Sequence, residues 1–260
     1  METAIQNEGL VVRVGRTELD ALHRDGKRTF IYPPYKASSS VEVAQAVHKE
    51  KLDFPLMDEN VSLVYGAWQN PNEKYSAEVI ETLKNSFVLA TNGLFYLPKK
   101  EGDEVHDGVL IDDNFDVRNL RILREDRERL LVYKSSLMTK LNANDPRVRF
   151  VPFGYPTGKV DNLSNHSLVV GLAGEDGSVK LDEVANIYKE KYRLNPYVSS
   201  FSNIDTEDLR ISALNSNWGG DRLNIHGNFH DDNRNSCAFE IALALRLLII
   251  FYWLFFFLIF

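Results

Sequence analysis

The sequence has little sulfur and no excess of positive charge. Cys237 is the only cysteine among 260 residues, which excludes an intrachain disulfide and a cysteine-based metal framework. Lysine and arginine number 30 against 37 aspartate and glutamate residues, giving a formal net charge of -7. Because a negative field repels phosphate backbones, nucleic acid is not the expected partner.

The first ten residues lack the apolar run of a signal peptide. Residues 1–10 are polar and contain Glu2 and Glu8, whereas a secretory leader needs an apolar core of about 7–15 residues. We therefore expect a cytoplasmic protein. The hydrophobic share of 44% and the charged share of 26% are typical of an ordinary globular chain rather than a disordered one.

Hydrophobic spacing predicts a mixed body of the α/β or α+β class. Ser39 and Glu42 form a capping box in front of a helix predicted over 40–51. Two further helices are predicted over 58–68 and 77–84, where apolar residues recur three and four positions apart. These segments alternate with runs that have the composition of strands.

Two antiparallel hairpins are predicted from turn residues. Asn92-Gly93 lies between two apolar runs and supplies the positive φ angles that a tight turn needs. Nearer the C-terminus, 222–229 and 236–239 are expected to pair across a polar turn.

One parallel βαβ unit is predicted in the second half of the chain. It consists of a strand over 167–174, an amphipathic helix over 179–192 and a strand over 195–201. Short connections between such elements imply a right-handed crossover. A short helix is expected after Asp205.

A glycine-rich segment lies between that predicted strand and helix, where phosphate-binding loops occur. The candidate cofactor-binding residues are Gly171, Gly174, Gly177 and Ser178. The glycine spacing departs from the dinucleotide-binding pattern, and Glu175 and Asp176 would repel a phosphate. A tight turn whose Asp176 or Ser178 caps the helix is the alternative that these residues favour.

A second candidate site contains groups that can bind a metal ion. Its members are His226, His230, Asp231 and Asp232. On a regular strand the two histidines would share a face but lie about 13 Å apart, at about 3.3 Å per residue. They could share an ion only if the strand bulged near Gly227; a polar hairpin tip is the simpler interpretation.

The chain ends in an apolar segment. Residues 241–260 contain a single charge, Arg246, and a helix of that length spans roughly 30 Å, the thickness of a bilayer core. Three interpretations remain open: a membrane anchor, the product of a T-rich tract read in the wrong frame, and a very apolar core helix.

Three phrases of the sequence resemble uncharacterised archaeal proteins. They are LVYGAWQNP at 63–71, RFVPFGYPTG at 149–158 and GLAGEDGSVKLDEVA at 171–185. The resemblance extends over the middle two-thirds of the chain and implies no activity, cofactor or site residue.

Together these features predict a body over 1–237 and an apolar segment over 238–260, with 99–108 or 152–158 as candidate boundaries inside the body. The expected function is a non-catalytic binding or interaction protein, tail-anchored if 241–260 enters a membrane; the protein or small-molecule partner is undefined. The alternatives are a metal-dependent hydrolase built on the His/Asp cluster and a nucleotide-binding protein that uses 171–178.

Overall fold

The computed structural model describes most of the chain, namely residues 11–13, 18–100, 107–216, 222–230 and 235–242. Its helices are α1 Ser40–Lys49, α2 Met57–Gln69, α3 Lys74–Asn85, α4 Leu120–Glu125, α5 Arg127–Asn142 and α6 Ser167–Tyr192. Its strands are β1 Val11–Arg13, β2 Glu18–His23, β3 Gly26–Ile31, β4 Tyr35–Ala37, β5 Phe87–Leu97, β6 Gly108–Asp112, β7 Val148–Pro152, β8 Gly158–Lys159, β9 Tyr197–Ser199, β10 Asp208–Asn215, β11 Asn224–Phe229 and β12 Ser236–Ala238.

The strands form one large mixed sheet and one small antiparallel sheet. In the large sheet the order is β4-β12-β5-β10-β11-β9-β8, and β6 and β7 continue from the second half of β5. The pairs β11–β9 and β12–β5 are parallel and the others are antiparallel. Strands β1, β2 and β3 form the small sheet. The predicted mixed α/β class is therefore confirmed.

Helices pack on both faces of the large sheet because its central strands are apolar on both sides. Along β5, Val88 and Tyr96 join a core shared with α2, α3 and α6. Leu89 and Phe95 point the opposite way and join a second core shared with α1, α4 and α5. The predicted helices over 40–51, 58–68 and 77–84 correspond to α1, α2 and α3, and Ser39 caps α1 as expected.

The hairpin predicted at Asn92-Gly93 is wrong, because β5 continues through it with a bulge. On β10, Ile211 lies opposite Gly93 while the next residue, Ser212, lies opposite Ala90. The two extra residues of β5 turn Asn92 into the core. Glycine follows Asn92 because of crowding: a β-carbon at Gly93 would lie 2.6 Å from a ring carbon of Phe115.

The strand predicted over 167–174 is also wrong. Residues 167–192 form the long helix α6, which is kinked at Gly174 with φ 72° and ψ 174°. Its first half buries Leu168, Val169 and Leu172. The sequence did not reveal this helix because a short, continuous apolar run also fits a buried strand. The predicted crossover at this place is therefore absent, although β9 follows the helix and is parallel to β11.

The last predicted hairpin is wrong in its pairing rather than in its strands. Both β11 and β12 form, but β11 lies between β10 and β9, and β12 lies between β4 and β5. The helix expected after Asp205 is replaced by β10, whose Leu209, Ile211 and Ala213 alternate onto one core.

The residues that follow β12 connect the two sheets. Ile241 forms isolated bridges with Phe30 of β3 and with Asp53. Of the C-terminal helix predicted over 241–260, residues 243–260 lie outside the described residues, and Ile241 forms β-bridges instead of a helical turn. Within the described residues, no helix combines the length and apolar character needed to cross a bilayer.

Candidate functional site

A cavity of about 410 Å³ opens over β9 and β11, on the sheet face that carries Phe87 and Phe229. Its lining is rich in amide, imidazole and aromatic side chains: Phe87, Tyr197, Ser199, Arg222, Asn224, His226, Asn228, Phe229 and His230. The volume lies in the range of small-molecule sites.

Strand register explains how these side chains meet. In the parallel pair, Asn224 lies opposite Tyr197 and His226 lies opposite Ser199, so all four share one face. Next to β10 the register shifts, because His226 pairs with Ala213 and Phe229 with Ile211. This bulge adds one residue to β11 and brings Phe229 onto the face of His226, where strict alternation would have turned it away.

Hydrogen bonds beneath the cavity fix the imidazole of His226. The side-chain oxygen of Asn215 accepts from Asn224 Nδ2 at 2.9 Å and lies 3.1 Å from His226 Nε2. Because an amide oxygen can only accept, the proton is assigned to Nε2 and the lone pair to Nδ1. Burial lowers the pKa of His226 to about 4, so the ring is neutral at pH 7.

A second hydrogen bond orients Asn228. Ser199 Oγ donates to Asn228 Oδ1 at 3.0 Å. The amide nitrogen of Asn228 has no hydrogen-bond partner among the described residues. The floor of the cavity therefore offers a donor at Asn228 Nδ2 and an acceptor at His226 Nδ1.

Aromatic rings stand on two sides of this polar floor. The Phe87 ring lies 5.1 Å from His226 and 4.9 Å from Phe229, measured between centroids. On the β9 side, the guanidinium of Arg222 lies 5.1 Å from the centroid of the Tyr197 ring. A ligand between these walls would have aromatic side chains on two sides and the hydrogen-bonding groups of the floor within reach.

The structure places the two predicted histidines in one cavity. Both His226 and His230 line it, while Asp231 and Asp232 lie outside the described residues. Among the residues that are described, no three His, Cys, Asp or Glu side chains are grouped closely enough to hold a metal ion.

The cavity also contains residues that the sequence analysis missed. The alternation of Asn224 and His226 with apolar neighbours was a readable signal within β11. Tyr197 and Phe87 lie on β9 and β5, which the order of strands in the sheet brings to the cavity. No local sequence pattern predicts that they meet there.

The glycine-rich candidate does not form a loop. Gly171 and Gly177 lie inside α6, and Gly171 packs so closely that a β-carbon would come within 2.8 Å of Ile111 and Val151. Ser178 Oγ donates to the backbone oxygens of Ser164 and Glu175. The strand-to-helix turn that motivated a phosphate site is thus replaced by the tightly packed helix α6, which is kinked at Gly174.

A serine, a histidine and two carboxylates meet at another place, under the small sheet. Ser62 Oγ lies 2.9 Å from His23 Nδ1, and His23 Nε2 lies 3.6 Å from Asp25 and 3.7 Å from Asp58. Burial lowers the pKa of His23 and raises that of Asp58. Ser62 and His23 are only 3% and 6% exposed, and Ser62 also donates to the Asp58 backbone. This cluster joins β2 to α2 and presents no nucleophile to solvent.

Comparison with known proteins adds no further evidence: no family model, no curated protein and no solved structure matches the chain. The geometry of the cavity is therefore what supports a function.

Proposed function

We propose that the protein is a binding protein that takes a small, ring-shaped molecule into the cavity over β9 and β11 without transforming it. The observation that carries the proposal is the polar floor of Asn224, His226 and Asn228 between aromatic walls. Pockets of this size, apolar at the sides and with a few convergent polar groups, are where proteins bind small molecules.

The chemistry of the floor supports binding rather than catalysis. A histidine whose pKa lies near 4 is a weak general base at neutral pH, because that pKa lies far below the pH at which the protein would work. The free groups, Asn228 Nδ2 and His226 Nδ1, match a ligand edge that presents an acceptor beside a donor.

The proposal can be tested by nuclear magnetic resonance with asparagine and histidine labelled in the full chain. The probes are nicotinamide, nicotinate, adenosine, adenosine monophosphate and glucose. We expect at least one of them to shift the Asn228 amide and His226 ring signals in a saturable way, and Asn228→Ala to weaken that probe about tenfold or more. Asn162→Ala, which alters an exposed asparagine, serves as the matched control. If all five probes leave both signals unchanged at millimolar concentration, the proposal fails.

A metal-dependent hydrolase is the second candidate, favoured by one observation. His226 and His230 line the same cavity, and the Nε2 hydrogen bond of His226 leaves Nδ1 free, as in many metal-binding histidines. Metal analysis of the purified protein tests it. Stoichiometric zinc or manganese that is lost in His226→Ala would favour the hydrolase, and its absence would remove this candidate.

Attachment to a membrane through 241–260 is a separate proposal, supported by the apolar composition of that segment alone. Carbonate-resistant pelleting of the full chain, compared with a chain that ends after Ala242, tests it. Full-length protein that remains in the supernatant would contradict it.

A further inference from the structure

We infer that the molecule bound over β9 and β11 is an anion, and that its carboxylate or phosphate group binds to Arg222. This inference rests on the proposed binding function and names the class of ligand. It is carried by the unusual position of Arg222 and by the charges around the cavity.

Arg222 differs from most arginines in the described part of the chain. Arg149 pairs with Asp113 at 2.6 Å and Arg24 pairs with Asp58 at 2.9 Å, two of nine arginines with a carboxylate partner. Arg222 makes no ion pair with any described residue. Its guanidinium instead lies 5.1 Å from the Tyr197 ring centroid.

A guanidinium held by an aromatic ring is prepared for an oxyanion. The cation–π contact holds the guanidinium over the ring and limits its motion, while no ion pair with a described carboxylate occupies its N–H groups. Those N–H groups match the two oxygens of a carboxylate or phosphate in a bidentate pair. Tyr197 therefore acts as a positioning residue for Arg222.

The described lining contains no aspartate or glutamate, although the whole chain carries a net charge of -7. An anion in the cavity could therefore bind Arg222 and the donor Asn228 Nδ2, and no carboxylate among the described lining residues would repel it. A ligand cation would find no carboxylate among the described lining residues. Charge complementarity of this kind decides which of two similar molecules is bound.

The test uses two pairs of probes that differ mainly in charge, with the full chain. Nicotinate is compared with nicotinamide, and adenosine monophosphate with adenosine. We expect the charged member of at least one pair to bind about tenfold more tightly, and that advantage to shrink to less than about twofold in Arg222→Gln. The pair that shows the preference tells a carboxylate from a phosphate.

Arg193→Gln is the matched control, because Arg193 is an exposed arginine at the end of α6 and its replacement removes the same charge. It should leave the preference unchanged, whereas Arg222→Lys should keep only part of it. Thermal unfolding checks that each variant is folded.

Three results would overturn the inference, and they are distinguishable. Equal affinity for charged and neutral partners refutes the anion while leaving the binding function intact. A preference that Arg222→Gln and Arg193→Gln reduce equally reflects the overall charge and refutes the role of Arg222. If no probe moves the Asn228 and His226 signals, the proposed function itself fails.

Discussion

Asn92 shows how much structure a single buried side chain can organise. Its Oδ1 accepts from the backbone nitrogen of Met57, the first residue of α2, at 2.8 Å and from Ser212 Oγ at 3.2 Å. Its Nδ2 donates to Asp113 at 2.7 Å. The residue that resembles part of a hairpin turn is instead a cap for a distant helix.

We predict that Asn92→Ala lowers the free energy of unfolding by about 2–4 kcal/mol, because it leaves several polar groups without partners. The measurement is urea denaturation. Thr91→Ala, at the neighbouring bulge residue, is the control and should cost about 1 kcal/mol or less. A loss in Asn92→Ala no larger than in this control would show that the three hydrogen bonds do not hold α2 in place.

His226 should make the stability of the protein depend on pH. Its pKa falls from 6.5 to about 4 on burial, so the unfolded chain takes up the proton first as the pH drops. The stabilisation is complete above pH 6.5 and is lost progressively between pH 6.5 and 4. When the pH falls from 7 to 4.5, we predict a drop in the free energy of unfolding that is about 2–3 kcal/mol smaller in His226→Asn than in the native chain. Parallel pH curves for the two proteins would contradict this.

Among the helices and strands, those whose own residues determine the structure were predicted correctly from hydrophobic spacing. Helices α1, α2 and α3 were predictable because each has an apolar stripe, and α1 also begins at the capping residue Ser39. The strand over 167–174 was not, since a short buried apolar run fits a helix or a strand equally well. There the packing of α6 against α2 and β7, which no local pattern contains, decides the outcome.

The kink of α6 gives the sharpest prediction for an element. Gly174 has φ 72° and ψ 174°, a conformation that is strained for any residue with a β-carbon. Gly174→Ala should therefore reduce the unfolding free energy by about 1–3 kcal/mol. Asp176→Ala, on the exposed side of the same helix, should stay within about 0.5 kcal/mol of the native chain. Equal stability of the two variants would rule out the kink.

Across the whole molecule, the sheet order was beyond the reach of sequence patterns. Strands β11 and β12 were both expected, yet each pairs with strands far away in the chain. The cavity could not be predicted for the same reason, because Phe87 and Tyr197 belong to strands whose neighbours are determined by the whole fold. The two histidines on one strand were visible, but the walls that define the cavity were not.

The sheet arrangement can be tested by removing the residues that connect the two sheets. Ile31 donates to the Glu240 backbone, Asp53 exchanges hydrogen bonds with Ile241, and Ala242 donates to Thr29. A chain that ends after Ala238 loses these bonds and the buried Phe239, so it should be less stable than a chain ending after Ala242 by about 4 kcal/mol or more. Equal thermal midpoints for the two chains would contradict the described junction.

If the cavity over β9 and β11 is a ligand site, a crystal of the full chain soaked with nicotinate or adenosine monophosphate should show the probe bound there. We expect its ring between Phe87 and Tyr197, with its polar edge on Asn228 and its charged group on Arg222. A saturating soak that leaves the cavity without either probe, or that places them elsewhere on the protein, would contradict it.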